Sequence, residues 1–203
     1  MSFLFFGDSI TAGSSSPISF TDCIKEEVLN FGISGTTIGE YSIYPVDGYS
    51  LLSMYDKVSG IKTADKIFLE YGINDVSSIM CDFTELQKVI VSFVKALDGI
   101  TQLNKTADIY FLSISDVDNI IQKYAKLQCD YLSDDYFKGF NFSFPVSKWA
   151  GLYISFISAV KTRLKVIPMI ENVEFLYKYI SSDNIHPNAA GHKLIAENIK
   201  KYI

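Results

Sequence analysis

Cysteine and histidine are scarce in this 203-residue chain, and their scarcity excludes several classes of protein. The three cysteines, Cys23, Cys81 and Cys129, are odd in number and lack C-x-x-C spacing, which argues against a disulfide framework or a zinc cluster. The two histidines have no nearby set of carboxylates or thiolates of the kind that a metal site requires. We therefore expect a protein that works without a metal.

Long basic runs and long apolar runs are also missing. Lys and Arg never cluster beyond a pair and the net charge is −5, so nothing indicates binding to nucleic acid or to anionic lipid. No segment reaches the ~18 apolar residues of a membrane span. The apolar run Phe3–Phe6 lacks the basic region and cleavage site of a signal peptide. We expect a cytoplasmic protein, although a leader already removed would leave no trace, and a neutral or weakly charged small-molecule or glycan partner.

Three signature motifs are absent as well. The chain contains no G-x-S-x-G, which excludes the ordinary α/β-hydrolases with their mid-chain nucleophile elbow. It contains neither G-x-G-x-x-G nor G-x-x-x-x-G-K-[ST], which argues against a nucleotide-binding module and against a nucleotide cofactor.

What is present is an alternation of short apolar runs and longer periodic segments, which predicts one α/β domain over residues 1–203. Such buried strands pair in parallel through right-handed helical crossovers, which gives a three-layer α/β/α sandwich. We expect about five strands in the flavodoxin-like order 2-1-3-4-5. The predicted strands are Phe3–Phe6, Val28–Phe31, Ile67–Tyr71, Ile109–Leu112 and Val173–Tyr177.

Three segments have the apolar periodicity of helices. They are Thr84–Asp98, with Gly99 as its stop, Ser147–Lys165, with Pro168 shortly beyond its end, and Asn188–Tyr202. The acidic and aromatic segment Cys129–Pro145 has no clear period, and it is interpreted as a lid or as a packed surface loop.

Polar residues that could carry chemistry follow the first strand directly. In an open parallel sheet, functional residues gather at the carboxyl ends of the strands. The sequence Gly7-Asp8-Ser9-Ile10-Thr11 predicts a tight turn that exposes the Ser9 hydroxyl and then begins a helix. The unpaired N–H groups at a helix start can stabilise a developing negative charge. Ser9 is therefore the candidate nucleophile.

The turns after the second and third strands supply candidates for the same site. Gly35 lies in Asn30–Thr36 and Asn74 in Tyr71–Asp75. A glycine lets a backbone N–H approach a substrate closely, and an asparagine amide donates a hydrogen bond without carrying a charge. Gly35, Asn74 and the N–H of Ser9 are therefore candidates for an oxyanion hole.

The candidate general base is His186. Asp183, three residues earlier, can accept the Nδ1–H of His186, which leaves Nε2 to take a proton from Ser9. Pro187 is placed to open the last helix. His192 lies about 240° further around that helix and is predicted to be a surface or packing residue outside the site.

Four segments of the chain are, in order, GDSI, ISG, GIND and DNIHPN. They resemble the four sequence blocks of the SGNH (GDSL-like) hydrolase superfamily and occur in the same order. The resemblance extends from Gly7 to Asn188. The resemblance implies a flavodoxin-like sandwich and acyl-ester hydrolysis without a cofactor. It also implies that Ser9 is the nucleophile, that Gly35 and Asn74 complete the oxyanion hole, and that Asp183 and His186 act as acid and base.

The substrate remains open at the level of sequence. Short acyl esters, especially O-acetyl groups on a carbohydrate, are favoured because the Ser14–Pro17 loop is short and polar, whereas a lipid chain needs a deep apolar groove. The alternatives are a lipid acylhydrolase or thioesterase for longer acyl chains, transfer to another alcohol, and a non-catalytic binding domain of the same shape.

Overall fold

A computed structural model describes residues 1–39, 49–79, 82–115, 146–170, 178–183 and 186–203. Its centre is a parallel sheet in the order β2-β1-β3-β4-β5. The strands are β1 (Ser2–Gly7), β2 (Glu27–Gly32), β3 (Lys66–Glu70), β4 (Asp108–Ser115) and β5 (Lys165–Ile170). The predicted sheet and strand order are therefore confirmed.

The register of the sheet brings three strand ends to one level. Gly7 at the end of β1 pairs with Gly32 at the end of β2 on one side and with Glu70 at the end of β3 on the other. The turns that follow these three strands consequently leave the sheet side by side. This is the carboxyl edge at which the sequence placed the candidate residues.

Helices cover both faces of the sheet and bury two apolar clusters. They are α1 (Ser9–Ala12), α2 (Leu51–Met54), α3 (Ile73–Ser78), α4 (Phe83–Leu103), α5 (Val146–Lys161) and α6 (Ala189–Lys200). One cluster joins the sheet to α2, α4 and α5, with the ring edges of Phe93, Phe111 and Phe156 in mutual contact. The other joins the opposite face to α6 and to a 3₁₀ helix at Phe20–Cys23.

Helix α4 is longer than its sequence pattern predicted. It runs through Gly99 and ends at Leu103, with Asn104 as its C-cap, so the prediction that Gly99 stops the helix is wrong. The glycine serves packing instead, because a Cβ there would lie 2.2 Å from the hydroxyl oxygen and 2.4 Å from the Cζ of Tyr55. Close approach of an aromatic ring, and not a turn, explains this glycine.

The last described strand begins where the sequence predicted the end of a helix. Helix α5 ends at Lys161, and Lys165–Ile170 forms β5, although the predicted helix extended to Lys165 and Pro168 was taken to lie beyond its end. Pro168 is tolerated because β5 is an edge strand of the described sheet, and edge strands are where proline occurs within sheets. The strand predicted at 173–177 and the lid segment at 129–145 lie outside the described residues.

Helix α6 begins two residues after Pro187. Asn188 is its N-cap, and the Asn188 side chain accepts hydrogen bonds from the N–H groups of Ala190 and Gly191, both at 3.0 Å. Pro187 thus precedes the cap, and the prediction that it opens the helix is wrong. None of the helices in the described part of the chain is long and apolar enough to cross a membrane.

Candidate active site

The turn after β1 presents Ser9 at the first position of α1. Asp8 is the N-cap of this helix, and its Oδ1 accepts the N–H of Ile10 at 2.9 Å. Asp8 is buried, whereas Ser9 is partly exposed at the edge of the sheet. Because N–H groups in the first turn of a helix have no acceptor within it, the Ser9 N–H is available to a substrate oxygen.

A buried carboxyl group that the sequence analysis missed supports this turn. Glu70 Oε2 accepts the N–H of Asp8 at 3.2 Å and the hydroxyl of Thr11 at 3.0 Å. Burial, followed by the nearby charge of Asp8, raises the pKa of Glu70 well above its ordinary value and so favours its neutral form. The sequence does contain a sign of this group, because a glutamate lies inside the apolar run Ile67–Tyr71, where an unpaired charge is not expected.

The turn after β2 folds against the end of β1. The Gly7 carbonyl accepts the N–H of Ile33 at 3.0 Å and the hydroxyl of Thr36 at 3.2 Å. Between these two residues Gly35 has a φ of 80°, in the left-handed region that favours glycine. The Gly35 loop and the Ser9 turn are thus joined through the last carbonyl of β1.

Asn74, at the start of α3, connects the same two turns. Its amide nitrogen donates to the Thr36 carbonyl at 3.0 Å and to Asp8 Oδ2 at 3.3 Å. The contact with Asp8 is the longer of the two, and it lies at the upper end of hydrogen-bond distances. An incoming oxyanion could therefore replace Asp8 as the acceptor while Thr36 continues to orient the amide.

Asp183 and His186 form a closed pair on the segment before α6. His186 Nδ1 lies 2.7 Å from Asp183 Oδ2, and the His186 N–H donates to Asp183 Oδ1 at 2.9 Å. Oδ1 also accepts the Ser181 hydroxyl at 2.6 Å, and Oδ2 accepts the Ser15 hydroxyl at 2.5 Å. Four donors thus converge on one carboxylate.

These donors determine the charge of the pair. Partial burial acts to raise the pKa of Asp183, but the hydroxyls of Ser15 and Ser181 and the donors of His186 outweigh burial and hold the pKa below its ordinary value. Asp183 is therefore a carboxylate at neutral pH and accepts the Nδ1–H of His186. This tautomer leaves Nε2 of a neutral imidazole as a proton acceptor.

The five predicted site residues lie at one edge of the sheet, although Ser9 and His186 are not in contact through a hydrogen bond. Ser9, Gly35 and Asn74 follow β1, β2 and β3, and the 2.5 Å hydrogen bond from the Ser15 hydroxyl to Asp183 Oδ2 brings the segment of Asp183 and His186 to the loop after α1. Within the part of the chain that the structure describes, no hydrogen bond joins Ser9 to His186. Such contacts often form only in the substrate complex.

His192 lies apart from this site. It is fully buried, its Nδ1 accepts the N–H of Phe20 at 3.2 Å, and its ring stacks on that of Phe20. Of the two roles the sequence left open for His192, surface or packing, the structure shows packing. Across the described residues, no group of three or more His, Cys, Asp or Glu side chains is arranged to hold a metal ion.

Solved structures show the same fold in hydrolases. A lipase from a goat rumen metagenome is 17% identical, with 99% of this chain and 96% of that chain covered at a TM-score of 0.60. The esterase EstA from Pseudoalteromonas sp. is 16% identical, with 99% and 97% covered at 0.57. A family two carbohydrate esterase from Clostridium thermocellum is 13% identical, with 100% and 62% covered at 0.56. No curated protein matches the sequence.

The sheet order and the four segments at its carboxyl edge define a hydrolase of the SGNH class. The model of the GDSL-like lipase/acylhydrolase family matches residues 5–194, and the chain belongs to that family.

Proposed function

We propose that this protein is a serine ester hydrolase in which Ser9 is the nucleophile, His186 the general base and Asp183 its orienting carboxylate. The observation that carries the proposal is the Asp183–His186 pair, with 2.7 Å between Oδ2 and Nδ1 and three further donors holding the carboxylate charged. A carboxylate held in this way orients the imidazole and stabilises the imidazolium that forms during catalysis.

The proposed reaction has two halves. Ser9 Oγ attacks the ester carbonyl while its proton passes to His186 Nε2, and the oxyanion receives hydrogen bonds from the N–H groups of Ser9 and Gly35 and from the Asn74 amide. The C–O bond to the alcohol then breaks, and His186 returns the proton to the leaving oxygen. Water, deprotonated by His186, attacks the acyl-enzyme and releases the acid and the free Ser9 hydroxyl.

The substrates that we propose are short acyl esters, in particular O-acetyl groups of a carbohydrate. The loop after α1 supports this class, because its serines point hydroxyls at Ser34 and Asp183 and supply no apolar wall for an alkyl chain. One of the proteins with a similar fold is a carbohydrate esterase, while another is a lipase. We also propose that residues 1–203 form one domain without a catalytic metal.

Replacement of the proposed nucleophile and base tests the mechanism directly. Ser9→Ala and His186→Ala should each abolish most turnover of p-nitrophenyl acetate, and the double variant should be little worse than either one, because the two side chains act as a unit. EDTA should leave the wild-type rate unchanged. Ser16→Ala is a matched control, since the Ser16 hydroxyl contacts only the N–H of Ile18 among the described residues. Multiplicative losses, or a wild-type protein without turnover, would contradict the mechanism.

An acyl-length series tests the substrate class. We expect kcat/KM to be highest at C2 and to fall towards C12 on a p-nitrophenyl leaving group, with acetylated oligosaccharides hydrolysed as well. Enclosure of a longer chain would add ~0.8 kcal/mol of binding per CH₂. A steady rise of kcat/KM to C8 or beyond would replace the carbohydrate proposal with a lipid or thioester acylhydrolase.

A further inference from the structure

Ser15 has a strained backbone in the loop after α1. Its φ is 61°, and among the described residues it is the only non-glycine residue with a positive φ. The left-handed region is unfavourable for a residue that carries a Cβ, because the Cβ comes too close to the following carbonyl oxygen. Serine therefore occupies a position where glycine would fit with less strain, and strain of this kind concentrates at functional sites.

The side chain of Ser15 contacts the other end of the chain. Its hydroxyl donates to Asp183 Oδ2, 168 residues away, at 2.5 Å. Its neighbour Ser14 makes a hydroxyl–hydroxyl contact of 2.5 Å with Ser34, the residue before Gly35. Two successive serines therefore reach from the loop after α1 to the loops that carry Asp183 and Gly35.

The local backbone is tied to the helix that carries Ser9. The N–H of Ser14 donates to the Ser9 carbonyl at 2.9 Å, and the N–H of Ser16 donates to the Gly13 carbonyl at 3.2 Å. The Ser15 hydroxyl is thus held at a defined distance from Ser9. The donors that Asp183 receives from Ser181 and His186, in contrast, lie on its own segment and cannot relate that segment to Ser9.

We propose that Ser15 is a positioning residue that holds the Asp183 carboxylate, and through it the His186 ring, in register with Ser9. This inference rests on the proposed function, because it assigns the alignment of the proposed triad to a side chain outside it. A small displacement of a catalytic group can cost as much as about a hundredfold in rate, so one hydroxyl at this point has a measurable role.

The Ser15 hydroxyl also stabilises the negative charge of Asp183. Burial acts to raise the pKa of Asp183, and the Ser15 hydroxyl is the contact that lowers this pKa most. Without it the carboxylate is more basic and holds a protonated His186 more firmly. Loss of the hydroxyl therefore has a signature in the pH profile that a purely structural role would not produce.

Three variants separate the hydroxyl from the backbone strain. With p-nitrophenyl acetate, Ser15→Ala and Ser15→Gly should both lower kcat by about tenfold with KM within about twofold, and should move the midpoint of the acid limb of kcat/KM to higher pH. Ser15→Gly fits a left-handed backbone, so it keeps the test valid if Ser15→Ala fails to fold. Ser16→Ala, in the same loop, should behave as wild type in all three measurements.

A measurement without substrate decides the inference independently of turnover. In ¹⁵N-histidine-labelled protein, the His186 Nδ1–H resonance should move downfield in Ser15→Gly, because the more basic Asp183 carboxylate is a stronger acceptor, and it should be unchanged in Ser16→Ala. If the Ser15 variants match Ser16→Ala in kcat, pH profile and this resonance while Ser9→Ala is inactive, the role of Ser15 is wrong and the proposed function stands. If Ser9→Ala keeps full activity, the proposed function itself fails.

Discussion

Asn74 joins the Ser9 turn, through Asp8, to the Gly35 loop, through Thr36. Because an oxyanion donor strengthens its bond only as charge develops, Asn74→Ala should lower kcat by about 10²–10³ with little change in KM. Steady-state kinetics with p-nitrophenyl acetate measure both constants.

Asn104→Ala provides the contrast for Asn74. Asn104 donates to the carbonyls of Ile61 and Ala64 at the end of α4, so its loss should lower the free energy of unfolding and leave kcat unchanged. A change in KM alone for Asn74→Ala would assign Asn74 to substrate binding in the ground state.

Asp75, the next residue, is a fully buried carboxyl. Burial raises its pKa to about 7, against the N–H of Ile38, which donates to Oδ1 at 2.8 Å. The folded-state pKa is above the unfolded value near 3.9, so this group's stabilising contribution is complete below about pH 4 and is lost as the pH rises towards 7. Charging Asp75 thus opposes folding at alkaline pH.

The test of this pH dependence is Asp75→Asn, whose amide oxygen can still accept the N–H of Ile38. The stability of this variant relative to wild type should increase by roughly 2–4 kcal/mol from pH 5 to pH 8.5, measured by urea unfolding at both values. Asp56→Asn, at an exposed aspartate, should show no such change. Equal pH slopes for wild type and Asp75→Asn would refute the argument.

At the scale of elements, the contact of β2 with α1 positions the Ser9 turn. A Cβ on Gly32 would lie 2.3 Å from the backbone nitrogen of Ala12 and 2.6 Å from the carbonyl carbon of Thr11. Both atoms are backbone, so no side chain can rotate away. The helix that carries Ser9 would have to move.

We therefore expect Gly32→Ala to lower the free energy of unfolding by about 1–3 kcal/mol and to reduce kcat as well. Gly151→Ala, inside α5, is the matched substitution, because a Cβ there meets only the ring of Phe83, at 3.9 Å. It should stabilise the protein by up to about 1 kcal/mol through helix propensity. Thermal unfolding followed by circular dichroism measures both, and similar effects of the two substitutions would disprove the packing argument.

At the scale of the molecule, His192 links the two ends of the chain by accepting the N–H of Phe20. Burial, with the charge of His186 next, lowers the pKa of His192 to about 4, although Asp22 acts in the opposite direction. The unfolded value is near 6.5, so this stabilisation is complete above pH 6.5 and is lost as the pH falls from 6.5 to 4.

His192→Gln preserves an acceptor for Phe20 and removes the titration. From pH 7.5 to pH 5, wild type should lose about 2 kcal/mol of stability relative to this variant, as measured by urea unfolding. The sign is opposite to that at Asp75, so the two variants separate the effects. If the difference in stability between wild type and His192→Gln does not depend on pH, the assignment to His192 is wrong.

Four of the five described strands, the strand order, and the candidate residues after β1, β2 and β3 could be predicted from the sequence. Buried parallel strands are short apolar runs, and each run dictates its own local structure. The pairing of Asp183 with His186 could also be predicted, because the two residues are only three positions apart in sequence.

Tertiary structure alone decided four other features. Pro168 lies in a strand because β5 is at the edge of the described sheet, and Gly99 lies within a helix because the ring of Tyr55 packs against it. The pKa of Glu70 is raised because the fold buries it beneath the Ser9 turn, and Ser15 contacts Asp183 because the two chain ends meet at one edge of the sheet. Each depends on a neighbour distant in sequence, and local propensity carries no information about such a neighbour.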